Sequence, residues 1–241
     1  CAGRHRPAQE SIMPLLELFK RSTILITGLT LSAAGIALVT KAGLGTSPIS
    51  SLPYVTSFII KLTFGEWTFI INMLMMLAQI AILRRDFPLS QLLQIPMTVL
   101  FSAVIDLVMH LCGGFDPVHY SARLALLAFG CVVLGAGIAL QITADMVMLS
   151  GEGLVRAISL KSGRNFGLVK TVFDLSLVAS SIVLSLAVLG RIEGLREGTV
   201  LSAMVVGTIS RIFIGRFAFL VEAFPQRKKT GNAAVPLRDA D

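Results

Sequence analysis

The sequence predicts an all-α polytopic membrane protein with about six transmembrane helices in a three-plus-three inverted repeat, each repeat carrying one short broken helix. Three observations predict it. Of 241 residues, 54% are hydrophobic and 15% charged, with a mean hydropathy of +0.81, outside the balance of a water-soluble domain. Several uncharged runs approach ~20 residues, the length that crosses a hydrocarbon slab ~30 Å thick. The second half of the chain also repeats the first, breaker for breaker.

Residues 1–20 form a polar, basic segment, of which 1–14 have no hydrophobic signal core; Cys1 in place of Met fits a trimmed start, an upstream truncation or the lipid-bearing cysteine of a cleaved lipoprotein, with truncation favoured. The first membrane repeat is placed at 21–112. Its first span, 22–40, carries Gly28, Ala33, Ala34 and Gly35, small residues that let helices approach closely in lipid. Gly43 and Gly45 then break the helix; Ser47 is expected to cap a new one and Pro48 suits its first turn. That short helix, 48–62, is too brief to cross alone and too rich in serine and threonine to face lipid. The second span, 66–83, opens with Glu66 and Trp67 and stops at Arg84-Arg85-Asp86, with Pro88 in the turn. The third, 89–111, tolerates Pro96 and ends at Gly113-Gly114.

The second repeat, 120–222, follows the same plan. A fourth span over 121–142 leads to Ser150-Gly-Glu-Gly153 and a second short helix at 152–161, broken by Gly163. The fifth span is 167–189 and the sixth 199–221; a basic tail, 223–241, is expected to be disordered. One constant displacement carries Ala34-Gly-Ile-Ala-Leu38 onto Ala136-Gly-Ile-Ala-Leu140, Gly28 onto Gly130, Phe64-Gly65 onto Phe166-Gly167 and Asn72 onto Asp174. Thr98-Val-Leu100 meets Thr199-Val-Leu201 after one residue of drift.

Three spans per unit is an odd number, so the second unit enters the membrane from the opposite side. Basic residues give an independent orientation. With the N-terminus inside, all but Lys41, Lys61, Arg123, Arg191 and Arg196 of the 21 lysines and arginines fall on the cytoplasmic side, as the positive-inside rule requires. Both termini are therefore expected in the cytoplasm.

Short helices at matching positions of inverted halves point to a transporter's binding site. Their N-termini present free N–H groups and positive dipole ends, which favour an anionic or strongly polar solute. Ionisable groups inside spans cost about 2.5 to 3.5 kcal/mol each, so each one needs a reason. Ser47, Ser50, Asn72, Glu152, Arg156 and Asp174 are the residues expected to line a solute path. For Asp174 the competing reading is an ion pair with Lys170 one turn earlier, and for Glu152 it is one with Arg156. Asp106 and His110 share a face of the third span and form a weaker candidate for proton coupling.

The +7 net charge sits at span ends with no aromatic interleaving, which excludes a nucleic-acid surface. Cys1, Cys112 and Cys131 have neither disulfide-framework nor metal-ligand spacing. No HExxH, nucleophile elbow or P-loop occurs, so no enzyme, cofactor or metal site is expected. The favoured function is a permease for a small polar or anionic solute, partnered by the lipid bilayer and compatible with a homo-oligomer. The alternative is a non-transporting membrane partner that stabilises another complex; an intramembrane enzyme ranks last.

Gly43-Leu-Gly-Thr-Ser-Pro48 followed by Phe64-Gly65-x-Trp67, with Ser150-Gly-Glu-Gly153 and Gly190-Arg-Ile-Glu-Gly-Leu-Arg-Glu-Gly198 in the second half, resembles the YitT/YczE-type family of bacterial multi-pass membrane proteins. The resemblance covers about residues 20–220 and departs at Leu149-Ser150, where a proline is common in relatives. It implies a bacterial inner-membrane location and supplies no substrate or catalytic residue.

Overall fold

The computed structural model describes residues 15–114 and 117–222. The expected tail at 223–241 and most of the N-terminal segment lie outside the described residues. Eight α-helices are present: α1 (Leu15–Lys41), α2 (Pro48–Ile59), α3 (Phe64–Leu83), α4 (Gln94–Leu111), α5 (Tyr120–Ala144), α6 (Ser150–Ser162), α7 (Phe166–Leu189) and α8 (Glu197–Glu222). Two short 3₁₀ turns bridge α3 and α4. Among the described residues there is no strand, and six helices are long and apolar enough to cross a membrane, the exceptions being α2 and α6.

Local chemistry sets the boundaries. Thr63 and Glu66 form a reciprocal capping box at the start of α3: Glu66 N–H donates to Thr63 Oγ1 and Thr63 N–H donates to Glu66 Oε2. That box ends α2 at Ile59, short of the expected residue 62, because the chain must become extended at Ile60 to reach the cap. α6 runs from 150 to 162, slightly longer than expected, and closes on Gly163 in the left-handed region. Gly43, just after α1, and Asp145, just after α5, both hold positive φ, 68° and 46°, and turn the chain back after those spans.

The centre of the molecule is the crossing of α1 and α5, which make the most extensive interface of the fold. α4 packs on α1 and α3, and α8 packs on α5. α2 lies between α3 and α7; α6 likewise lies against α3 and α7. α3 packs on α4, but α7 and α8 make no comparable contact.

Glycines make the central crossing a backbone contact. A Cβ on Gly28 would sit 2.9 Å from Gln141 N, and one on Gly130 would sit 2.9 Å from Val39 N. A Cβ on Gly35 would sit 2.5 Å from Leu134 N, and one on Gly137 would sit 2.5 Å from Ser32 N. Each contact has a partner in which both residues are exchanged for their counterparts in the other half. The short helices obey the same exchange: Ser181 Oγ donates to Ser51 Oγ at 2.9 Å, while Gly153 faces Gln79, whose Oε1 would lie 2.8 Å from an added Cβ. The starts of α1 and α5 are matched as well. Arg21 Nη1 donates to Ala144 O at the end of α5, and Arg123 Nη1 lies 3.4 Å from the Cβ position of Gly43 at the end of α1.

Candidate solute site

Two short helices that each begin in the interior place two positive dipole ends there. Ile49, in the first turn of α2, and Gly151, in the first turn of α6, are counterparts in the two halves and touch one another; a Cβ on Gly151 would overlap the Ile49 side chain. Met75 Sδ, in the middle of α3, is 3.5 Å from the same point. Both N-termini therefore sit near half the depth of the bundle, and the two helices run from there toward opposite ends.

Around that junction the expected residues are distributed as follows. Ser47 is the N-cap residue of α2 and Pro48 follows it in the first turn. Its hydroxyl, however, does not cap: it donates to Ser50 Oγ at 3.0 Å. The Ser50 N–H, the usual donor to such a cap, goes to the Ser47 carbonyl at 3.0 Å instead. Both serines are buried. Ser150, at the first position of α6, is fully buried, and its Oγ has no hydrogen-bond partner among the described residues, an arrangement that costs stability unless something polar meets it.

Glu152 and Arg156 share α6 at a spacing that permits an ion pair, yet none joins them, and neither has another hydrogen bond or ion pair among the described residues. Glu152 instead lies within electrostatic reach of Lys170 and Asp174 on α7. Those two pair with each other, Lys170 Nζ to Asp174 Oδ1 at 2.6 Å. Asn72, the counterpart of Asp174, donates to the Thr68 carbonyl at 2.8 Å within α3. The second half thus carries a cluster of one ammonium and two carboxylates where the first half carries Ser50, Thr68 and Asn72.

No hydrogen bond joins Asp106 and His110 among the described residues. Asp106 Oδ2 accepts from Thr63 Oγ1 and its Oδ1 accepts from Gly65 N–H at 2.7 Å, so both oxygens hold the start of α3 against α4. His110 is exposed near the end of α4.

The structure adds a polar stripe that the sequence reading did not single out. Gln94, Thr98 and Ser102 follow one another at four-residue spacing along α4, are all buried, and leave Gln94 Oε1, Thr98 Oγ1 and Ser102 Oγ without partners among the described residues. Gln94 Nε2 reaches Gln79 Oε1, 3.5 Å away on α3, which in turn faces Gly153 of α6. The spacing of polar residues inside an otherwise apolar span was the available signal.

Six long apolar helices, two interior half-helices and a polar junction between them define an all-α polytopic membrane protein. The chain matches, over residues 19–215, a family of unknown function designated DUF6198, and it belongs to that family. It is similar to the "Uncharacterized membrane protein YczE" of Bacillus subtilis (strain 168), 25% identical over 222 residues that cover 91% of this chain and 97% of the relative. No solved structure matches it.

Proposed function

We propose that this protein is a permease for a small polar or anionic solute, built from two inverted repeats over residues 21–112 and 120–222 that alternate access to a shared central site. The observation that carries the reading is the junction of Ile49 and Gly151, which brings two helix N-termini to one interior point. Reciprocal contacts support the inversion: a two-fold axis makes residue i of one unit meet j of the other whenever j meets i. The exchanged pairs at Gly28 and Gly130, and at Gly35 and Gly137, follow that rule.

The chemistry of the junction favours a solute with a negative or strongly dipolar group. Two N-termini supply N–H donors, and among the described residues Ser150 Oγ is an unused hydroxyl and Arg156 a cation without an ion-pair partner. Asp174 would hold Lys170 in place, and the Lys170 ammonium would exchange its interaction with Glu152 for one with the solute. A bacterial inner-membrane location with both termini cytoplasmic is part of the same proposal, supported by the distribution of lysine and arginine.

The test is flux into proteoliposomes containing the purified chain, with a panel of small anions and neutral polar solutes, alongside Arg156→Gln. Saturable uptake of an anion that falls at least about tenfold in the variant, as loss of a charged contact predicts, supports the reading. Absence of protein-dependent flux across the panel, in a preparation that is folded and inserted, refutes it and leaves the alternative of a non-transporting membrane partner.

A further inference from the structure

The two halves match closely at the centre and diverge at their ends. Residues 42–47, between α1 and α2, are the counterpart of 144–149, which comprise the last residue of α5 and the link to α6. The first segment is docked. Thr46 N–H donates to Thr199 Oγ1 at 3.2 Å, Gly198 N–H donates to Leu44 O at 2.7 Å, and Thr40 and Thr46 share a hydroxyl hydrogen bond at 2.8 Å. Leu44 and Thr46 are 1% and 0% exposed. At the other end, Met148, the counterpart of Thr46, is 38% exposed. Thr98, the counterpart of Thr199, keeps a buried hydroxyl with no partner among the described residues.

The sequence explains the difference. Docking brings backbone against backbone and works only without side chains at two points. A Cβ on Gly45, whose φ is +118°, would overlap Thr199 Oγ1, and a Cβ on Gly198 would sit 2.5 Å from Leu44 O. In the other half Val147 stands at the counterpart of Gly45 and Met97 at that of Gly198. Those side chains forbid the same close approach. The departure from the repeat thus falls on the two residues that tight docking requires to be glycine.

We infer that the 42–47 strap docked on the first turn of α8 is the principal gate of the protein, and that at rest the path between α2 and α6 is closed at that end and accessible from the end bearing 145–149. Undocking of the strap from Gly198 and Thr199 is the opening step at the closed end. Among the described residues 145–149 make no hydrogen bond to the start of α4; their one side-chain tie is Ser22 Oγ donating to Met146 Sδ at 3.8 Å. This rests on the permease reading above and adds to it which end is shut and which contacts hold it shut.

Single cysteines at Leu44 and Met148, in a background lacking Cys1, Cys112 and Cys131, are exposed to a membrane-impermeant thiol reagent applied separately to each face of sealed vesicles. Met148→Cys should react from one face. Leu44→Cys should react from neither until Gly198→Ala is added, when labelling from the opposite face should rise by about tenfold or more, because an overpacked contact shifts the docked equilibrium. Thr199→Val, which removes an acceptor without adding bulk, should give a smaller rise in the same direction and carries the test if Gly198→Ala does not fold. Equal labelling of Leu44→Cys with and without these changes, or a silent Met148→Cys, overturns the gate. Labelling needs no transport: a sealed Leu44 with no solute flux sinks the permease reading alone, whereas saturable flux with a freely labelled Leu44 sinks the gate alone.

Discussion

Lys170 Nζ lies 2.6 Å from Asp174 Oδ1, one turn apart on α7, with the two side chains 28% and 26% exposed. Such a pair is neither a screened surface contact nor a fully desolvated one. Removing one partner leaves the other charge in a poorly hydrated place, so Asp174→Asn or Lys170→Met alone should cost about 1–3 kcal/mol. The double replacement Lys170→Met with Asp174→Leu should be less damaging than either single change. Thermal unfolding in detergent checks this, and single variants as stable as the parent would count against a structural pair.

At the start of α1, Glu17 and Arg21 form an ion pair at 2.9 Å with side chains only 9% and 8% exposed, and Arg21 also donates to Ala144 O at the end of α5. Arg21 thereby satisfies an orphan carbonyl at a helix C-terminus, where a cation is favoured. Arg21→Met should destabilise by about 3–5 kcal/mol, as breaking a buried pair does. Lys20→Met next to it is expected to change little, since Lys20 is exposed. Comparable midpoints for the two variants in a denaturation series would refute the assignment.

Asp106 holds the start of α3 through two hydrogen bonds. Asp106→Ala should lower stability by about 1–2 kcal/mol, the scale of losing a helix-terminal acceptor. His110→Ala should leave stability and any transport rate unchanged. A loss of pH-dependent flux in His110→Ala with normal folding would instead support the proton-coupling expectation.

Gly35→Ala and Gly137→Ala each push a methyl into the backbone of the crossing helix and should cost about 1–3 kcal/mol or more. Gly207→Ala, on α8, meets nothing within 4 Å and should be neutral or slightly stabilising. Yield and melting of the purified variants distinguish the cases; equal tolerance at Gly137 and Gly207 would mean that the α1–α5 contact is looser than described.

Hydropathy and glycine–proline punctuation are local signals, which is why the spans and both interior breaks were legible in the sequence. The proposed repeat rests on the same kind of signal, since Gly28 and Gly130 or Ile36 and Ile138 keep one displacement along the chain. Side-chain partnership was not. Glu152 and Arg156 have the spacing of an ion pair, but Glu152 faces α7, which only the packing of two distant helices decides. Ser47 has the sequence context of a capping residue, yet its hydroxyl turns to Ser50. Arg21 reads as an orienting charge, and its second partner, Ala144, lies 123 residues away. The Gln94, Thr98 and Ser102 stripe was hidden because each residue is isolated within an apolar run and gains meaning only on a helical face.

The tightest seam of the molecule joins α1 to α5, a helix completed only about a hundred residues later in synthesis. α1 must therefore wait in the bilayer with its glycine face uncovered until α5 arrives, while α2, which cannot cross by itself, waits for α7. Assembly is a late, concerted event among inserted helices, and a nascent chain halted before α5 would present an unfinished glycine-lined surface to membrane quality-control proteases.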